Sequence, residues 1–219
     1  PNNMSSFYLR AAMNLNNVGI SLLEVGKLSP ASTALQDALE AMKCSVRLDE
    51  EQPQRHMVFD QKLSRAITAL QTEESSISFF DQYLLLTASL IRFPPCGPHE
   101  MPTSRINIHE GCAIVLHNLA LFYQLNGLHD NQSILMRKSL SLCHLVYSIV
   151  LDVREEQDDQ DQGHNLPTRL LFILVNVLNC MGQVHSYLGE HDLAQECFRR
   201  LNTTLAETLF SPDSLLAAP

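Results

Sequence analysis

The chain has 219 residues, 45% of them hydrophobic and 18% charged, and a net charge of −9. That composition suits a packed core and excludes a disordered chain. The acidic balance, with no cluster of Lys and Arg, argues against nucleic acid and against a polybasic membrane patch, both of which need concentrated positive charge.

In chain order, the first readable pattern is Leu15, Val18, Leu22 and Val25, apolar residues at helical spacing. Gly26 is placed to end that helix, since glycine tolerates a left-handed backbone. Leu28, Ala31, Leu35, Ala38, Leu39 and Met42 predict a second helix, with Pro30 in its first turn, where a missing N–H costs nothing. Two helices so close in sequence form an antiparallel hairpin.

Residues 45–108 are harder to read. Val58, Leu63, Ile67 and Leu70 suggest a helix. The apolar segment Phe79–Phe93 reads as helix or strand, and the prolines between Pro94 and Pro102 demand a loop. The helical pattern returns at Leu116–Tyr123 and runs to Gly127, with Leu135, Met136, Leu140 and Leu142 on a following helix. The acidic stretch Arg154–Gln162 is expected to be a solvated loop. Pro167 then opens a long helix through Leu178 and Val184 towards Gly189, and Leu193, Ala194, Cys197, Phe198 and Leu201 mark a last helix. A tail from Ser211 is expected to fray. The longest uninterrupted apolar run, Leu170–Val175, is too short to span a bilayer, so no membrane association is expected. No basic-then-apolar leader precedes residue 7 either.

Spacing ties the helical patterns together. Gly19 and Gly26, Ala120 and Gly127, and Gly182 and Gly189 are each seven residues apart. Each second glycine is followed at equal distances by Ala31, Gln132 or Ala194, then by Leu35, Met136 or Phe198, then by Ala38, Ser139 or Leu201. The expected cause is close packing: Gly19, Ala120 and Gly182 sit where two helices touch, and Leu35, Met136 and Phe198 fill the space. The pattern resembles the tetratricopeptide repeat, and the Leu-Asn-Asn and Leu-His-Asn runs at Leu15 and Leu116 are similar to kinesin-light-chain-type repeats. The usual tryptophan position holds Leu15, Leu116 and Leu178, and the copies are not in tandem. The resemblance implies an all-α superhelix, a solenoid of antiparallel hairpins near 12–48, 109–153 and 166–209. These form one domain over 7–210, with an irregular, proline-rich insertion at 49–108 and a flexible tail at 211–219.

It also implies that the first helix of each hairpin lines a concave groove, and there the asparagines draw notice. Asn17 and Asn118 share a repeat position, and Asn176, Asn179 and Gln183 lie near it on the third copy. An amide carries donors and an acceptor, so it can pair with an extended peptide backbone; alternatively, these amides tie adjacent helices together. The first alternative predicts that Asn118→Ala weakens partner binding without lowering the melting temperature, and the second predicts the reverse. A carboxylate-gripping groove is not expected, because Met13, Asn16, Ile114, His117, Asn176 and Cys180 supply no basic residue.

No other chemistry is expected. The nine histidines and six cysteines lack the paired spacing of a zinc site, and no phosphate-binding or nucleophile motif is present. The expectation is a non-catalytic scaffold, without metal or cofactor, that binds a protein or peptide partner. The cysteines read as buried thiols of a cytoplasmic or nuclear protein. The alternatives are an oligomerisation module using Phe79–Phe93 as its contact and, less favoured, an enzyme with a site inside the helical array.

Overall fold

The computed structural model describes residues 3–46, 65–66, 90–94, 108–158 and 167–209. They form six helices and no strand: α1 (Asn3–Glu24), α2 (Leu28–Val46), α3 (Ile108–His129), α4 (Ser133–Asp158), α5 (Thr168–Tyr187) and α6 (His191–Leu209). The first begins nine residues before the residue 12 expected from sequence. Of the expected helix around Val58–Leu70 only residues 65 and 66 are described, and both are helical; most of the proline loop and the tail from Ser211 lie outside the described residues.

The helices pair as α1–α2, α3–α4 and α5–α6. Each turn is built in the same way. After α1, the Gly26 N–H donates to the Leu23 carbonyl and the Lys27 N–H to the Leu22 carbonyl, at 3.0 and 2.9 Å. After α5, Gly189 and Glu190 donate to Ser186 and His185, at 3.1 and 2.9 Å. Both glycines sit at φ +76°, where any Cβ would crowd the backbone. A single residue, Lys27 or Glu190, then leads into the next helix in each case.

The middle turn departs from expectation. Gly127 does not end α3, which runs on to His129. The left-handed position falls to Asn131 at φ +51°, and Gln132 closes the turn on the Gly127 carbonyl at 2.8 Å. Asn is the residue after glycine most at ease there. The extra half-turn and more of helix shifts the packing. In the outer hairpins a Cβ added to Gly19 would lie 2.9 Å from Leu35 Cγ, and one on Gly182 would lie 2.6 Å from Phe198 Cε1, as the spacing implies. In the middle hairpin the recorded close approach is Gly127 against Met136 Sδ, at 2.8 Å. Gly127 thus joins the small residues that face a bulky one, and Ala120, expected in that place from spacing, is wholly buried on α3. Small against bulky survives, but at a different register.

The hairpins stack. α2 packs on α3 and α4 packs on α5, while the first helices also touch in sequence, α1 on α3 and α3 on α5. The first and second hairpins are therefore direct neighbours, although 61 residues separate Val46 from Ile108 (108−46−1). Part of the wide spacing of the second and third copies is helix length: α4 has 26 residues against 19 in α2 and extends through Asp158, so the first part of the acidic stretch is helical rather than loop. Pro167 caps α5 as expected.

Being central, α3 is covered on all sides. Every residue from Ala113 to Phe122 is buried, the mark of a helix with no solvent face. By length and composition alone, α4 over Ser133–Glu155 and α5 over Thr168–Tyr187 are apolar enough to cross a membrane, a property that the short uninterrupted runs concealed. More than half of that α5 window is buried within the stack. The thiols of Cys143, Cys180 and Cys197 are buried, and those of Cys44 and Cys112 half-buried; none of these five is in a disulfide, while Cys96 lies outside the described residues.

Candidate functional site

Between α1 and α3 lies a short extended segment, Leu90 to Pro94, that belongs to neither hairpin. Pro94 and Pro95 follow Phe93, and a residue before proline is driven away from helical torsion angles. Among the described residues the segment has no strand partner. Its backbone bonds go instead to asparagine side chains, because a buried N–H or C=O must be paired.

The pairing is regular. Asn118 Oδ1 accepts from the Ile91 N–H at 2.9 Å, and Asn118 Nδ2 donates to the Ile91 carbonyl at 2.7 Å. Two residues on, Asn17 Oδ1 accepts from the Phe93 N–H at 2.8 Å, and Asn17 Nδ2 donates to the Phe93 carbonyl at 2.9 Å. In an extended chain the N–H and C=O of alternate residues point the same way. Two amides, one from each helix, therefore stand in for one edge of a neighbouring strand. Asn16 completes the set: it donates to the Ile91 carbonyl at 3.3 Å and accepts from Asn118 Nδ2 at 2.9 Å.

Side chains add selectivity to this backbone grip. The Arg92 guanidinium donates to the Asn17 carbonyl at 3.0 Å and to Ser21 Oγ at 3.1 Å, and it pairs with the Glu24 carboxylate. These acceptors sit one and two turns apart along a single stripe of α1. Phe93 is 2% exposed. That burial also removes it as the surface contact imagined for Phe79–Phe93. Beside the segment, lined by Ile91–Pro94, lies a cavity of about 660 Å³, walled on its other side by Ile114 of α3 and by Arg169, Phe172 and Ile173 of α5. Arg169 there pairs with the nearly buried Glu110 at 3.3 Å.

The five expected groove residues thus divide. Asn17 and Asn118 come together on one segment. Gln183 does not join them: it accepts from the buried Gln124 at 3.0 Å and so ties α5 to α3. Asn176 turns back to the Phe172 carbonyl of its own helix at 2.8 Å, and Asn179 is half-buried on α5. Among the described residues, α5 shows no amide pairing with backbone like that of α1 and α3. Asn118 grips the chain's own segment and, through Asn16, joins α3 to α1. Asn16 and His117 are wholly buried and Met13 and Ile114 nearly so, which closes those positions to any carboxylate ligand.

Sequence reasoning missed Asn16 as a participant and missed Arg92 altogether. The paired Asn16-Asn17 was a usable signal, as was the Pro94-Pro95 that forces Phe93 to be extended.

A second polar cluster continues from Gln124. Its Oε1 accepts from Cys180 Sγ at 2.9 Å, and Cys143 Sγ lies 3.2 Å from Cys180. The bond to Cys180 and burial push the Cys143 thiol well above its usual range, so the thiolate needed for nucleophilic or metal chemistry is disfavoured. Burial likewise pushes the Cys112 thiol up to about 11. Burial, and then the nearby His185, lower the pKa of His144. Among the described residues no group of three or more His, Cys, Asp and Glu side chains could hold a metal ion.

No protein-family model, curated protein or solved structure matches the chain.

Proposed function

We propose that the chain is a tetratricopeptide-like superhelical scaffold that binds an extended peptide of a protein partner along the face formed by α1, α3 and α5. The observation that carries this reading is the double amide clamp of Asn17 and Asn118 on the backbone of residues 91 and 93. Helix pairs that only need tying together do not require two side chains set to match the repeat of an extended backbone. First helices that touch one another directly, with second helices packing on the next hairpin, are consistent with a stack curved around the first helices. The role is binding rather than catalysis, without cofactor or metal. The free, closely spaced Cys143 and Cys180 suit a reducing compartment such as the cytoplasm or nucleus.

The test compares the proteins captured by the wild-type chain with those captured by Asn17→Ala, by quantitative mass spectrometry. Asn17 is half-buried and bonds chiefly to the segment, so this variant keeps its helices, which circular dichroism checks. A set of partners specifically lost from the variant is expected. An unchanged capture profile from a folded variant overturns the reading.

A further inference from the structure

We propose that Leu90–Pro94 is a resident ligand of the clamp, and that its sequence states the chemistry of the partner: an extended peptide with an aliphatic residue, an arginine, an aromatic residue and a proline in succession. This rests on the peptide-clamp reading and goes further, naming both what is recognised and what regulates access.

Selectivity comes from two places. The amides of Asn17 and Asn118 grip only backbone atoms and accept any sequence. Arg92, in contrast, meets three acceptors in one fork: the Asn17 carbonyl, Ser21 Oγ and the Glu24 carboxylate. A planar guanidinium satisfies such a set, whereas a lysine ammonium reaches it as a point charge and a carboxylate is repelled. Phe93 is buried among the helices, so its position requires a large apolar side chain, and Ile91 packs on the same core.

Regulation follows from the tether. A segment attached to the chain that receives it is present at an effective concentration on the order of millimolar. A free peptide making the same contacts competes poorly. A natural partner therefore needs contacts that the resident segment lacks, and the cavity that runs beside Ile91–Pro94, walled by Ile114 and Phe172, is placed to supply them.

The probe is a fluorescein-labelled peptide of sequence Leu-Ile-Arg-Phe-Pro, titrated with the full chain and followed by fluorescence anisotropy. The receiving variant carries Ile91→Gly, Arg92→Ser and Phe93→Gly, which strip the resident segment of its side-chain contacts and leave it held by backbone bonds alone. It is expected to bind the peptide at least about tenfold more tightly than the wild type, which is blocked by its own segment. Peptide with Glu in place of Arg is expected not to bind, and adding Asn17→Ala to the receiving variant is expected to abolish binding. A folded receiving variant that ignores the peptide, or takes the Arg and Glu peptides equally, overturns the proposal. If the triple variant is unfolded by circular dichroism, Arg92→Glu alone serves: it sets a carboxylate against Glu24 and expels the segment, with the same gain expected and the same failure decisive. Partner capture that depends on Asn17 but not on this peptide sinks the assigned sequence and leaves the clamp standing.

Discussion

At the residue scale, two glycines with the same job are not equally replaceable. A Cβ on Gly19 meets Leu35 Cγ at 2.9 Å, and Leu35 is wholly buried. One on Gly182 meets the outer edge of the Phe198 ring, which is only half-buried and can swing. Replacing a mid-helix glycine by alanine gains up to about 1 kcal/mol of helix propensity, while crowding a packed core costs about 1–3 kcal/mol. Gly19→Ala is expected to lower the melting temperature, and Gly182→Ala to leave it nearly unchanged, as measured by thermal denaturation. The asparagines also separate. Asn118→Ala strands the buried N–H of Ile91 and breaks the bridge to Asn16, a loss of about 1–3 kcal/mol. Asn17→Ala removes bonds at a more exposed place and is expected to cost less than about 1 kcal/mol. Urea denaturation of both variants checks the order. These values amend the simpler expectation that Asn118→Ala would leave stability untouched.

At the scale of elements, the turns carry the fold. Gly189 has no neighbour within 4 Å of an added Cβ, so only its φ of +76° resists substitution. Gly189→Ala is expected to cost about 1–2 kcal/mol through that backbone strain. Gly189→Asn should cost less, since Asn131 holds the same conformation in the middle turn. Unequal melting temperatures in that order are the check. The same turn carries a titrating link. The Glu190 carboxylate accepts from His185 Nδ1–H at 2.7 Å and pairs with Arg137 of α4 at 3.3 Å. The hydrogen bond to His185 and then the charge of Arg137 hold its carboxyl below the usual range. A depressed carboxylate stabilises the fold above its unfolded pKa, and this contribution is lost as pH falls through the folded value. The melting temperature of Glu190→Gln is therefore expected to lie below wild type at about pH 6 and to converge with it at about pH 2.5.

At the scale of the whole molecule, position in the stack sets local stability. In a repeat array each hairpin is held by its neighbours, so the middle one is held twice. α3 is buried on every side and also anchors the segment 90–94. Its amides from Ala113 to Phe122 are expected to exchange most slowly, and those of α6, which covers one end with Leu193 and Leu205 exposed, to exchange sooner. Hydrogen exchange read by mass spectrometry gives the order directly. Faster exchange in α3 than in α6 would contradict the stacked arrangement.

What the amino-acid sequence determined by itself was local. Apolar spacing placed helices at Leu15–Val25, Leu28–Met42 and Leu178–Gly189, because a period of 3.6 leaves its mark on every buried face. Glycine marked the two turns where nothing else relieves a positive φ. The pair Asn17 and Asn118 was legible because amides in mid-helix are unfavourable and call for a partner. Tertiary structure decided the rest. Only packing shows that Gly127 lies inside α3 and meets Met136, since a turn can be closed by Asn131 as well as by glycine. Only packing separates Gln183, spent on Gln124, from Asn17, because both look alike on a helical face. The resident segment was hidden for the same physical reason: its backbone is satisfied by side chains from two helices, at residues 17 and 118, and a contact across that distance leaves no periodic trace in the chain.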